Sequence, residues 1–379
     1  MRIVEICGPD AVSRLQDEWQ ALQMECPHAT PYQTWEWNVA WWRHFGSRKS
    51  SRILLFYIEG APQPVGLAPL YTSWHLGLPL RRLAWMGTGP SDYLGLLASP
   101  PYSEQVAAAL LAHMRDDLRR WDMADLQQLR PDAPIMTHAP VPWPDQPLEF
   151  QTVLPMEPCP HLPLPETWQQ FTGGLGKILR SNLCFLERLL TKTFPEARYL
   201  LADATNLELG MTALFDLHQK RWNARWLPGV LGGRRVQAFH REVAARFLDN
   251  GWLRLHLLEV EGEVRSALYC FCFKGRTFYY LGGFSLDMSK YSLGTLLTAH
   301  AIRTAIEERC TEFDFLRGKE PYKYRWLPAE RTNHRLLLLR SRSGLGEWPG
   351  RAGVALAHVE RYVVYRAKAF ADGKRMKES

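Results

Sequence analysis

The side chains best suited by type to move a proton are His218, Asp314 and Tyr322, and cations stand beside them at Arg221, Lys323 and Arg325. Histidine titrates near neutrality, so His218 can act as a base; a lone histidine in a helical run is equally well a satisfied structural residue. Arg221 follows three residues later, which on a helix puts both on one face. Asp314 stands between Phe313 and Phe315 in a strand-like run. A carboxylate buried there must be paired or have its titration shifted, which leaves two readings, a base or a structural partner for Lys323 or Arg317. Lys323 and Arg325 suit phosphate or carboxylate on a ligand. The stretch Lys290-Tyr291-Ser292-Leu293-Gly294-Thr295 opens an apolar-periodic run. A helix start with one glycine can cradle an anion there, with Lys290 beside it and Ser292 as cap.

Two similar halves must position these groups. Residues 110–130 align without a gap on residues 297–317, with His113 meeting His300 and Leu129 meeting Leu316. Upstream of each copy stand strand-like runs, 52–73 and 81–99 in the first half, 253–275 and 276–294 in the second, separated by turn residues. Each half reads strand, Glu-Gly turn, strand, strand, glycine-containing loop, long helix, strand. That order predicts an α/β fold in which helices pack on mixed sheets, duplicated in tandem, with domains at 1–150 and 151–379. Prolines crowd residues 131–165 and mark a connection or an edge, because proline removes a backbone donor. Apolar spacing predicts helices over 166–194, 206–226 and 236–250, the last stopping at Asn250-Gly251, and an amphipathic helix over 351–370.

Composition narrows the function. A net charge of +7 spread as isolated pairs, with no finger or long basic tract, does not favour a nucleic-acid partner. The seven cysteines lack a Cys-x-x-Cys spacing, which argues for reduced thiols and against a metal centre. The start of the chain reaches no apolar leader, and no run approaches the ~18 apolar residues of a membrane span, so a cytoplasmic protein is expected. Arg351, Arg361, Arg366 and Lys368 flank the stripe of the 351–370 helix, with Lys374, Arg375 and Lys377 beyond. That helix either docks on the protein or makes weak contact with an anionic membrane, giving a peripheral location.

The segment FDFLRGKEPYKYRW (313–326) resembles the sequence closing the second domain of the GNAT-type acetyltransferases of cellulose and exopolysaccharide biosynthesis, relatives of the Fem-type peptidoglycan aminoacyltransferases. PYQTWEWNVAWWRHFG (31–46), DYLGLL (92–97), KILRSNLCFLERL (177–189), LFDLHQKRW (214–222) and GGFSLDMSKYSLGTLL (282–297) follow the same family order. The resemblance implies an acyltransferase with acetyl-CoA or another acyl thioester as donor. Tyr322 would be the acid for the departing thiolate, with Lys323, Asp314 and His218 in the catalytic set and Lys290, Ser292, Gly294 and Thr295 at the donor. Arg180, Asn182 and Arg221 would hold an anionic substrate group, and Asp92 and Tyr93 would lie on the acceptor side. The implied acceptor is a small-molecule or lipid-linked glycan. The loop departs from the usual Arg/Gln-x-x-Gly-x-Gly/Ala, which leaves an acyl carrier protein or an aminoacyl-tRNA as alternative donors. A catalytically inactive scaffold is the third reading. The first half, with Pro90 and no basic residue in GTGPSDYLG (87–95), is expected to have lost donor binding.

Overall fold

The chain opens with β1 (Arg2–Ile6), α1 (Ala11–Arg14), α2 (Gln16–Glu25) and α3 (Trp35–Phe45), the last begun by Thr34, whose hydroxyl accepts the Trp37 amide. A computed structural model describes residues 1–74, 80–117, 120–138, 148–223, 229 and 231–340. Two units make up the chain, one of Met1–Met156 with the segment from Asn333 onward, the other of Glu157–Thr332. In the first, β2 (Ser50–Tyr57), β3 (Gly66–Trp74) and β4 (Arg81–Trp85) form an antiparallel meander, with β1 on β2 and the short β5 (Leu97–Ala98) on β3. The crossover helix α4 (Ser103–Asp116) then leads into β6 (Met123–Leu129), parallel to β4, and α5 (Pro134–His138) follows. Trp19, Trp37, Trp41, Trp85 and Trp121 fill the core. Each such ring removes a large apolar area from water, the main source of stability here.

The proline-rich stretch is not only a connection. It forms β7 (Leu148–Pro163), whose last residues pair with a strand of the second unit. Proline lacks a donor but keeps its carbonyl, and the carbonyls of Pro158 and Pro160 accept the Gly318 and Phe315 amides.

The second unit repeats the plan. After α6 (Trp168–Gly174), capped by the reciprocal Thr167 and Gln170 pair, and α7 (Lys177–Thr193) come β8 (Arg198–Leu201), α8 (Leu207–Asn223) and α9 (Arg234–Asp249). The meander β9 (Leu253–Val260), β10 (Glu263–Phe273) and β11 (Arg276–Phe284) turns at Glu261-Gly262 and at Lys274-Gly275, all four with positive φ. Two-residue hairpins with both centres left-handed match the natural twist of the strands. The crossover α10 (Leu293–Glu307) leads into β12 (Glu312–Asp314), parallel to β11. His113 on α4 and His300 on α10 thus lie on topologically equivalent crossovers, as the gapless match predicts.

The short α11 (Pro321–Tyr324) precedes β13 (Ala329–Arg340). From His334 onward this strand pairs antiparallel with β6, so the sheet of the first unit is completed by residues that follow the whole second unit. A buried fork fixes it: Arg335 Nε and Nη2 donate to Asp125 at 2.6 and 2.9 Å. Asn333 Nδ2 donates to the Asp92 carbonyl at 2.7 Å. The helix expected over 351–370 lies outside the described residues.

Candidate active site

The site forms where two parallel strands part. β11 and β12 pair only from Arg276 opposite Glu312 to Phe278 opposite Asp314. Beyond that point β11 runs on to Phe284 bonded to β10 alone among the described residues. A bulge at Tyr280 locally re-aims this free half. Beside the opening Tyr279, Phe315 and Tyr322 pack together: the Tyr279 ring lies 5.9 Å from Phe315 and 6.2 Å from Tyr322, centroid to centroid. Burial pushes the Tyr322 phenol well above its ordinary pKa, and the Glu320 charge adds to the rise. Tyr279 is raised by burial and by the neighbouring Tyr322 hydroxyl. Both phenols therefore carry their protons at neutral pH, the state a proton donor needs.

The other wall is α8. A Cβ on Gly283 of β11 would come within 2.7 Å of the His218 amide nitrogen, so glycine is what lets α8 lie directly against the strand. Burial, with Arg221 nearby, lowers His218 to about 4, leaving a neutral imidazole across the physiological range. Arg221 lies over the Phe284 ring at 4.9 Å, and its Nε has no hydrogen-bond acceptor among the described residues. Phe284 in turn supports the start of α10, where a Cβ on Gly294 would meet the ring at 2.9 Å. The Leu293 and Gly294 amides, first in that helix, donate to no backbone acceptor among the described residues. A helix start with free amides favours an anion.

Acetyltransferase (GNAT) domains as a family match residues 186–324, which contain this opening, both of its walls and the crossover helix. The second unit carries a GNAT-type acyltransferase domain. No curated protein matches the sequence at a significant level. Among solved structures the chain is similar to FemX, with TM-score 0.62 and 10% identity over 89% of this chain and 97% of that one. It is also similar to a conserved protein of unknown function from Bacteroides thetaiotaomicron (TM-score 0.57, 11% identity, 86% and 97% covered). A third likeness is to the C-terminal domain of a lysylphosphatidylglycerol synthetase-like protein from Agrobacterium fabrum (TM-score 0.55, 12% identity, 91% and 96% covered). At these identities the likeness is one of fold, a tandem GNAT-like arrangement.

Within the GNAT domain Arg221 is the residue that reaches both Tyr322 and His218; the His218 ring itself neighbours His240, and Gly294 begins α10 with Ser292 and Thr295. Ser292 does not cap α10: it takes a left-handed φ of 48° with no side-chain cap bond, and its carbonyl instead accepts the Thr295 and Leu296 amides. Lys290 is exposed, its Nζ 4.8 Å from the Tyr291 ring. Lys323 has a different task from the one its neighbours suggest. Its buried ammonium donates to the Leu316 and Arg317 carbonyls at 3.2 and 2.8 Å and pairs with Glu320 at 3.0 Å, so it ties down the loop that carries Tyr322. Asp314, fully buried, accepts the Leu316 amide at 2.7 Å and stabilises that residue's left-handed turn, rather than facing the opening as a base. Arg180 and Asn182 are exposed on α7, two residues apart and so on different sides of the helix. Asp92 and Tyr93 belong to the first unit and are buried; the Tyr93 carbonyl accepts the Thr30 hydroxyl at 3.3 Å. Tyr279, Phe284 and Gly283 have no part in the sequence-based site. The adjacent glycines at 282 and 283 in a strand were their signal, because glycine inside a strand marks a close approach.

Proposed function

We propose that the GNAT domain transfers an acyl group to an amine or hydroxyl of a cell-envelope or exopolysaccharide precursor, with Tyr322 as the acid. In the reaction the acceptor's lone pair attacks the donor carbonyl, the new C–N or C–O bond forms, and the bond to the leaving group breaks. A thiolate leaving group needs one proton, which the protonated Tyr322 phenol supplies and solvent restores; the proton lost by the acceptor passes by way of neutral His218 to solvent. His218 binds a proton weakly, so it relays rather than stores one. Arg221 would hold an anionic part of either substrate, since its Nε is buried against Phe284 without an acceptor among the described residues. The donor's own anionic portion would lie at the Leu293 and Gly294 amides, with Lys290 alongside. The observation that carries the reading is a protonated tyrosine in the opening between parallel strands of a GNAT fold.

Aminoacyl transfer from tRNA is favoured by one further observation. Gly294, the single glycine of the donor loop, is occupied in packing on Phe284, which leaves the loop poorly built for a CoA pyrophosphate. The fold likeness to FemX supports the same reading. Tyr322 serves both donors, because a ribose oxygen leaving group also needs a proton. The test incubates purified protein with radiolabelled acetyl-CoA or aminoacyl-tRNA and amino-sugar or lipid-linked acceptors, and repeats the reaction after ribonuclease treatment. Tyr322→Phe is expected to lower kcat about 10²- to 10⁴-fold with little change in KM. Full activity of Tyr322→Phe removes the tyrosine from the mechanism, and absence of transfer from every donor favours the scaffold.

A further inference from the structure

We propose that α7 is a membrane-contact helix that seats on an anionic lipid surface. The helix carries two apolar seams. Leu179, Leu183, Leu186 and Leu190, spaced by four, three and four residues, turn inward to the core of the unit. Ile178, Phe185 and Leu189 repeat the spacing one position earlier. Among the described residues nothing covers the first two, with Ile178 88% and Phe185 60% exposed, while Leu189 is half-buried at the junction of the seams. One exposed apolar side chain is ordinary; a large aliphatic and a large aromatic two turns apart on one face are a patch.

The charges next to the outer seam say what covers it. At about 100° per residue, Lys177, Ser181, Arg188 and Lys192 form the adjoining row, and all four are exposed. Glu187, the helix's one acid, falls about half a turn from Ile178, on the opposite side. An apolar row flanked by a basic row is the pattern of a helix lying in the headgroup plane, apolar side chains at the acyl boundary and ammonium or guanidinium groups on lipid phosphates. A two-fold related copy of the chain suits the face less well, since an isologous contact would bring the basic row against itself. The inference does not rest on the proposed reaction, and it differs from the sequence-based expectation of a membrane contact through residues 351–370.

The test is flotation of the full chain with phosphatidylcholine vesicles and with mixed phosphatidylglycerol–phosphatidylcholine vesicles, at low and high salt. The wild type is expected to float with the anionic vesicles at low salt and to be released at high salt. Loss of each basic charge weakens such binding about fivefold. Arg188→Glu with Lys192→Glu is therefore expected to reduce partitioning more than tenfold, and Ile178→Ser with Phe185→Ser to abolish flotation. All four positions are exposed, so both variants should melt like the wild type. Acyl transfer to a soluble acceptor should be unchanged in both, which separates failure here from failure of the proposed reaction. The proposal is overturned if the wild type stays in solution at low salt or if both variants float like the wild type. It also falls if sedimentation shows a dimer that Phe185→Ser dissociates, which would give the face to a second copy.

Discussion

Acidification from about pH 8 to about pH 5 should remove much of this protein's stability, through three histidines sealed in the second unit. Burial lowers His218 to about 4 and His240 and His256 to about 3, against an ordinary value of 6.5. The folded values lie below the unfolded one, so this stability is fully present above about pH 6.5 and is lost as pH falls toward the folded values. One and a half pH units below 6.5, at roughly 1.4 kcal/mol per unit, the unfolded chain gains about 2 kcal/mol per histidine. Three together give about 6 kcal/mol, comparable with the whole stability of many domains. Burial raises the Glu5 carboxyl but its Arg52 partner lowers it to about 2, so it titrates below this window, while His300, also lowered by burial, adds in the same direction. His256 is the most informative to change: its ring lies 5.7 Å from that of His300, nearly perpendicular to it, and its Nδ1 has no hydrogen-bond partner among the described residues. Urea unfolding followed by tryptophan fluorescence at several pH values, for wild type and His256→Leu, measures the effect. The variant should lose about a third less stability between the two pH values. A wild-type loss under about 1 kcal/mol, or an unaltered slope in His256→Leu, would refute the reasoning.

Gly294→Leu should displace the Phe284 ring and with it the contact to Arg221, raising the donor KM in steady-state kinetics and lowering stability by about 1–3 kcal/mol. An unchanged KM separates that helix start from donor binding. Arg335→Ala should cost about 3–5 kcal/mol in urea unfolding, because it strips the buried Asp125 carboxylate of its two-pronged partner and leaves it the longer Arg82 contact and the Gln127 amide. Replacing Asp125 and Arg335 together by apolar residues of similar volume should recover most of that loss.

Local signals carried the elements well. The Glu-Gly turn and the Asn250-Gly251 stop lie where the strands turn and the helix ends, because each is decided by a few adjacent residues, whereas the single helix expected over 166–194 is broken at Leu175-Gly176 into α6 and α7. The proline-rich stretch reads as a connection or an edge, and it holds the strand β7, whose prolines lack donors but still offer carbonyls. The return of residues 333–340 to the first sheet was illegible, for it depends on a pairing with β6 some two hundred residues earlier, and no periodicity encodes that partner. The site divided in the same way. Tyr322, His218 and Arg221 were recognisable from residue type and family order, while the inward turn of Lys323 and Asp314 follows from the left-handed turn at Leu316, which brings the carbonyls of Leu316 and Arg317 to the ammonium. Tyr279 was hidden because its role comes from strands parting beside it.

The late arrival of β13 bears on how the protein is made. When Met156 leaves the ribosome, every described element of the first unit exists except the strand that pairs with β6, and Glu157–Thr332 must be synthesised first. At roughly 5–20 residues per second the wait is on the order of 10–35 s, far longer than secondary structure needs to form. Through that interval the nascent chain holds a strand edge lined by Ala124 and Leu126 and a carboxylate at Asp125 with no Arg335 to meet it. Such an edge invites pairing with a neighbouring chain. Output of folded protein should therefore depend on holdase supply and elongation speed, and a gene fragment ending near residue 156 should yield aggregates where the full-length gene yields soluble protein.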